Sequence, residues 1–245
     1  MALIGSAGCL VILFVLFLIT AAFGNRVLTA MGLLADQPLD EILFSSGLGL
    51  AVLQLLAGIV SFTAGLKLWS AVVLLLVMGV AGGRGWKSAL RSGRQSCRDF
   101  SGIFGSRGSK LIGFGILFFA GLEALLATAP LTGSDAMHYH FTAPLLEIGK
   151  PEHPIFWLTH SFFLGLGHEL IALGLVLGGD KLALLLIFMS GCLTSAALLQ
   201  LGRRLMPNEW ALAAVLAFLM APMVFWQIGT AGSPACLGQQ RQIVR

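Results

Sequence analysis

The residues best suited to chemistry are crowded into one stretch of the chain. All five histidines, His138, His140, His153, His160 and His168, fall within 31 consecutive positions. Asp135, Glu147, Glu152, Glu169 and Asp180 accompany them, five of the chain's 11 acids. Imidazoles and carboxylates are the groups that move protons near neutral pH and bind metal ions. Asp135 followed by His138, Tyr139 and His140 has the make-up of a general base with neighbours that hold an anionic group. The same side chains, together with His160 or His168, are ligands that Zn²⁺ accepts. No H-x-x-x-H or H-E-x-x-H pattern occurs, however, so a histidine-rich metal site is the alternative and not the leading reading. A divalent cation is the one cofactor the segment suggests, and none is firmly implied. Asp135 also stands where a helix N-cap would, a role worth about 1 kcal/mol. Cap and base are compatible, and the residues alone leave both open.

The elements that must position these groups are apolar helices. Of 245 residues, 57% are hydrophobic and 11% charged, against roughly 45–50% and about 25% in soluble domains. A helix needs about 20 apolar residues to cross a ~30 Å hydrocarbon core at ~1.5 Å per residue. Runs of that kind cover residues 3–24, 42–66, 69–83, 111–131, 182–201 and 210–231. The fold expected is an all-α membrane protein with about six transmembrane helices. The first run has no preceding Lys or Arg and is longer than the ~7–15 residues of a signal h-region, so it reads as a span. Cys9, Cys97, Cys192 and Cys236 are scattered singly, which argues against a cysteine metal site.

Charge placement orients the spans. Seven of the 15 Lys and Arg lie in residues 84–110, with Asp99 the sole acid there. A short basic connection between spans belongs on the cytoplasmic side. Its Gly and Ser content and its sparse interleaving of aromatics argue against a nucleic-acid patch. With 84–110 inside, the N-terminus is outside, the first hairpin turns near Lys67, and the histidine-bearing loop 132–179 lies outside. The helix from Asp180 then returns inward to Arg203 and Arg204. Residues 161–178 are apolar but carry His168 and Glu169, and a charge at mid-bilayer costs about 2.5–3.5 kcal/mol on insertion scales. This segment is expected to lie along the outer interface, with those two residues facing an aqueous cavity. In 136–148, Met137, Phe141, Leu145 and Ile148 repeat at helical spacing around Pro144, giving a second interfacial helix.

The block Ser134-Asp135-Ala136-Met137-His138-Tyr139-His140, through Leu146-Glu147-Ile148-Gly149-Lys150, resembles the first outer loop of GT-C superfamily membrane glycosyltransferases. These include protein O-mannosyltransferases and lipid A aminoarabinose transferases. The likeness continues over 160–179, 180–205 with its Gly202-Arg203-Arg204-Leu205 ending, and 221–231, about half the chain. It implies a GT-C-like core over 111–231 behind an extra three-helix segment, 1–83. It further implies transfer of a sugar from a polyprenyl-phosphate donor to an acceptor on the outer face of a bacterial cytoplasmic membrane. On that likeness Asp135 is the catalytic base. His138, Tyr139, His140, Lys150, His160, His168 and Glu169 are then the residues facing donor and acceptor. Relatives usually carry a second acid after the position of Ala231. Here 232–245 is a polar tail without an acid, expected to be a truncation or frameshift scar. A non-enzymatic transporter or scaffold fragment is the remaining alternative.

Overall fold

The computed structural model describes residues 5–33, 37–129, 141, 144, 148 and 166–225. Among these residues all regular structure is helical. Four helices are long and apolar enough to cross a membrane: α1 (Ser6–Ala30), α2 (Pro38–Ala64), α5 (Arg107–Thr128) and α7 (Asp180–Leu205). Between them stand α3 (Leu68–Gly82), α4 (Gly85–Gly102), α6 (Leu166–Gly178) and α8 (Asn208–Met220). Large apolar side chains point outward along the long helices, including Phe14 on α1, Ile59 on α2, and Phe114 and Leu117 on α5. That surface is what lipid would cover. The chain is a membrane protein.

Small residues set the spacing of the first pair. A Cβ on Gly24 would overlap the carbonyl oxygen of Ser45, and one on Gly49 would overlap that of Thr20. Backbones in such close contact gain dispersion along their length, the main attraction left to helices already in lipid. α3 returns alongside α1, and the chain then bends by 83° into α4. Gly83, at φ +41°, makes that corner, a conformation that costs a residue with a Cβ far more than it costs glycine. The Trp86 indole N–H closes the bend on the Gly79 carbonyl at 2.8 Å. α6 and α7 form a second tight hairpin about Gly179, at φ +78°. A Cβ on Gly174 would meet the Ala183 backbone, so α6 runs antiparallel against α7. Leu173, Leu182, Leu184 and Leu186 fill the core between this hairpin and α1–α3. A second core, around Ile103, Leu199, Leu212 and Val215, joins α7 and α8 to α5.

The architecture bears on three expectations: it leaves the six-span count unconfirmed, puts a helix in the basic connection and sets α6 beside α7. First, six full spans do not appear among the described residues. α3 has 15 residues and α8 has 13, or ~22 and ~20 Å at ~1.5 Å per residue, short of a ~30 Å core. Second, within the basic connection 84–110, residues 85–102 are helical. Gly85, Ala89, Ser92 and Ser96 recur every three or four residues and are buried, while Lys87, Arg91, Arg94 and Arg98 face out. Third, α6 does not lie across the end of the bundle. It stands beside α7 with Leu170, Ile171, Leu173, Leu175 and Val176 buried. Its 13 residues stop short of a span, as expected, but as a half-length helix inside the bundle.

Candidate functional site

The helix directions divide the molecule into two chemically different ends. At one, α1 finishes, α2 begins, α4 crosses, α5 and α8 begin and α7 finishes. Of the 12 Lys and Arg among the described residues, ten belong to this basic end, all but Lys67 and Lys181. At the other end Lys181 Nζ bonds Ser6 Oγ at 3.3 Å, joining the start of α7 to the start of α1. The histidine-rich segment leaves α5 after Thr128 and returns through α6 into α7, so its two described attachments belong to this second end.

At the basic end the acids that open α2, Asp40 buried and Glu41 half-buried, have specific partners. Glu41 Oε1 accepts from Asn25 Nδ2 at 2.6 Å and Ser88 Oγ at 2.5 Å, and its Oε2 accepts from Ser92 Oγ at 2.6 Å. One carboxylate thereby ties α1, α2 and α4 together. Its neighbour Asp40, 5% exposed, receives Arg204 Nη2 at 2.5 Å from the last turn of α7. Ser106, the N-cap of α5, donates to Glu209 at the start of α8 and accepts from the Ser109 N–H at 3.0 Å. Charge-assisted hydrogen bonds of this kind are the strong ones. Their partners lie on neighbouring helices, which is the arrangement of a structural clamp.

The histidine end is different. Glu123 on α5 is 1% exposed, and its Oε1 has no hydrogen-bond partner. It sits five residues before the end of α5. Glu169, near the start of α6, is 8% exposed, and its Cγ lies over Gly58 of α2 at the van der Waals distance of a methyl placed there. Gly58 is six residues from the end of α2. At ~1.5 Å per residue Glu123 lies ~8 Å below that end of α5, and Glu169 lies ~14 Å below that end of α6. The helices that carry them, α5 and α6, both pack against α7. An intramembrane acid marks a functional site by default, because burying it is costly unless something uses it. A buried carboxylate oxygen without a donor can accept from a hydroxyl or ammonium group of a ligand.

Of the expected site residues, His168 and Glu169 lie on α6, His168 half-buried and Glu169 buried, and both are engaged with neighbours. Glu169 faces α2 within the bundle, its Cγ over Gly58. Asp135, His138, Tyr139, His140, Lys150 and His160 lie outside the described residues. Two members of the expected apolar stripe are described. Phe141 is buried, and both it and Ile148 pack into the core that holds α6. The alternative metal site gains nothing among the described residues, where no group of three ligand-type side chains converges. Glu123 went unrecognised in the sequence, although it is the sole ionisable residue in the apolar run 111–131. No protein-family model, curated protein or solved structure matches this chain. Function has to be read from its own residues.

Proposed function

We propose that this chain is a membrane-embedded transferase of GT-C type, working at the histidine end. The donor is a polyprenyl-phosphate-linked sugar and the acceptor a hydroxyl on the outer face. One observation carries the reading. The segment bearing every histidine joins the bundle at the end opposite ten of the 12 described cations. Basic ends face the cytoplasm, so by that bias the segment lies outside, on the side where a lipid-linked donor of this class is used.

In the reaction, Asp135 takes the proton of the acceptor hydroxyl. The acceptor oxygen forms a bond to the anomeric carbon, and the bond from that carbon to the phosphate oxygen breaks. The polyprenyl phosphate leaves with the electron pair. His138, His140 and Lys150 are the groups with the charge to meet that leaving phosphate, Lys150 as a point charge. Tyr139, His160, His168 and Glu169 are the further groups that the resemblance assigns to donor and acceptor. Asn caps a helix about as well as Asp, whereas loss of a general base costs ~10²–10⁴-fold in rate. Release of polyprenyl phosphate from polyprenyl-phosphate hexoses is the assay. Asp135→Asn is expected to lower it by that factor. A wild-type chain that releases none, or an Asp135→Asn chain as active as wild type, defeats the assignment. Orientation is tested separately by cysteine labelling in intact cells. Labelling at Gly133→Cys and not at Ser106→Cys is expected, and the reverse pattern would overturn the proposal.

A further inference from the structure

The basic end holds a second feature that the clamp does not use. A groove of about 1240 Å³ opens between α2 and α7. Its walls are apolar, formed by Leu28, Leu43, Phe44, Leu48, Leu193 and Leu201. Phe44 and Leu201 are each 57% exposed, so the groove opens on the outer surface of the bundle. Along α7 it extends from Leu193 to Arg204, ~16 Å at ~1.5 Å per residue, about half the ~30 Å hydrocarbon thickness. That is the depth of one leaflet.

The foot of the groove is polar and incompletely satisfied. Gln200 is 7% exposed and lines both this groove and an adjoining cavity of about 480 Å³. Its Oε1 accepts from Arg203 Nη1 at 3.0 Å, which fixes the amide and leaves Nε2 as the donor. That Nε2 is buried and has no hydrogen-bond partner. A buried donor left unmade costs ~1–3 kcal/mol, so an acceptor placed there would be held firmly. Arg98, Arg203 and Arg204 border the two cavities, against Asp40 and Asp99. Three cations against two anions leave one positive charge at the foot.

We propose that this groove binds one anionic diacyl phospholipid. An acyl chain lies along α2 and α7, and the phosphodiester accepts from Gln200 Nε2 beside Arg203 and Arg204. One net positive charge matches one phosphodiester. A zwitterionic lipid would bring an ammonium group that this charge repels. The basic outer face of α4 adds the long-range attraction of Lys and Arg to an anionic leaflet. The site lies at the opposite end of the bundle from the proposed transfer chemistry, so either can fail without the other.

Native mass spectrometry of the detergent-purified chain, titrated with phosphatidylglycerol or phosphatidylcholine, tests it. One phosphatidylglycerol per chain is expected, with a preference of about tenfold over phosphatidylcholine, the scale of one charge-assisted contact. Gln200→Leu should lower retention of both lipids by about tenfold, because both carry the phosphodiester, and leave the preference for phosphatidylglycerol in place. Ala197→Trp, which fills the groove without touching the polar foot, should abolish retention of both lipids. Thermal melts confirm that each variant is folded. Equal retention of the two lipids by the wild-type chain overturns the proposal without recourse to any variant. Phosphatidylglycerol retention unchanged in both folded variants also overturns it, as does displacement of the lipid by millimolar inorganic phosphate.

Discussion

The acids at the two ends of the bundle have opposite situations. At the basic end, buried Asp40 and half-buried Glu41 have partners on α1, α4 and α7. At the histidine end, Glu123 is buried more deeply and has an oxygen with no donor. The helices carrying these acids are built from the same apolar residues, so the contrast is not one of composition. An acid surrounded by donors on other helices holds the fold together and is already saturated. An acid that lacks them weakens the fold and remains available. Stability should therefore reside at one end and reactivity at the other.

The largest effect expected at the clamped end comes from its closest backbone contact. Gly49→Leu should leave almost no folded protein in detergent, a loss of about 4 kcal/mol or more, since backbone and not a flexible side chain blocks the new Cβ. Recovery of a normal melting curve would show that α1 and α2 do not pack as described. Glu41→Ala removes three hydrogen bonds at once and should cost about 2–4 kcal/mol, less than their sum because such bonds are not additive. Protease sensitivity of 85–102 should rise with it, because Ser88 and Ser92 are two of the lost contacts that hold α4. Glu123→Leu is the decisive counterpart at the histidine end. It should leave the melting temperature unchanged or raise stability by up to about 2 kcal/mol, because it removes a buried, unpartnered polar group. A loss above about 1 kcal/mol would erase the contrast. The smallest effect belongs to Asp135→Asn, with a stability change within about 0.5 kcal/mol if the side chain acts only as a cap. Thermal unfolding of purified protein reads all four.

The long helices were legible in the sequence because hydropathy over about 20 residues is the property a bilayer selects. The runs 42–66 and 182–201 became Pro38–Ala64 and Asp180–Leu205, with polar end-turns added. The break near Lys67 also appears, between Ala64 and Leu68. What escaped was decided by packing. α4 has too few apolar residues to announce itself, and its buried face of Gly85, Ala89, Ser92 and Ser96 is small, not hydrophobic. Nothing in the local sequence marks Asp40 as an ion-pair partner, because Arg204 lies 164 positions away. α6 was expected at the surface because His168 and Glu169 would be costly in lipid. The structure instead shields Glu169 inside the protein against a glycine of α2. The candidate site was legible only as a crowd of ionisable residues, and Glu123 was hidden by the apolar run around it.

The long sequence separation of the Arg204–Asp40 pair has a consequence for how the protein is made. The α1–α2 hairpin, locked by Gly24 and Gly49, is complete once Ala64 has left the ribosome. Arg204 follows about 140 residues later, which at ~5–20 residues per second is a delay of roughly 7–28 s. Throughout that interval Asp40 sits on a finished hairpin without its counter-ion, and water at the membrane surface must serve in the arginine's place. A nascent chain halted before residue 204 keeps an exposed acid at the rim of an otherwise packed hairpin, a mark that distinguishes unfinished molecules from finished ones.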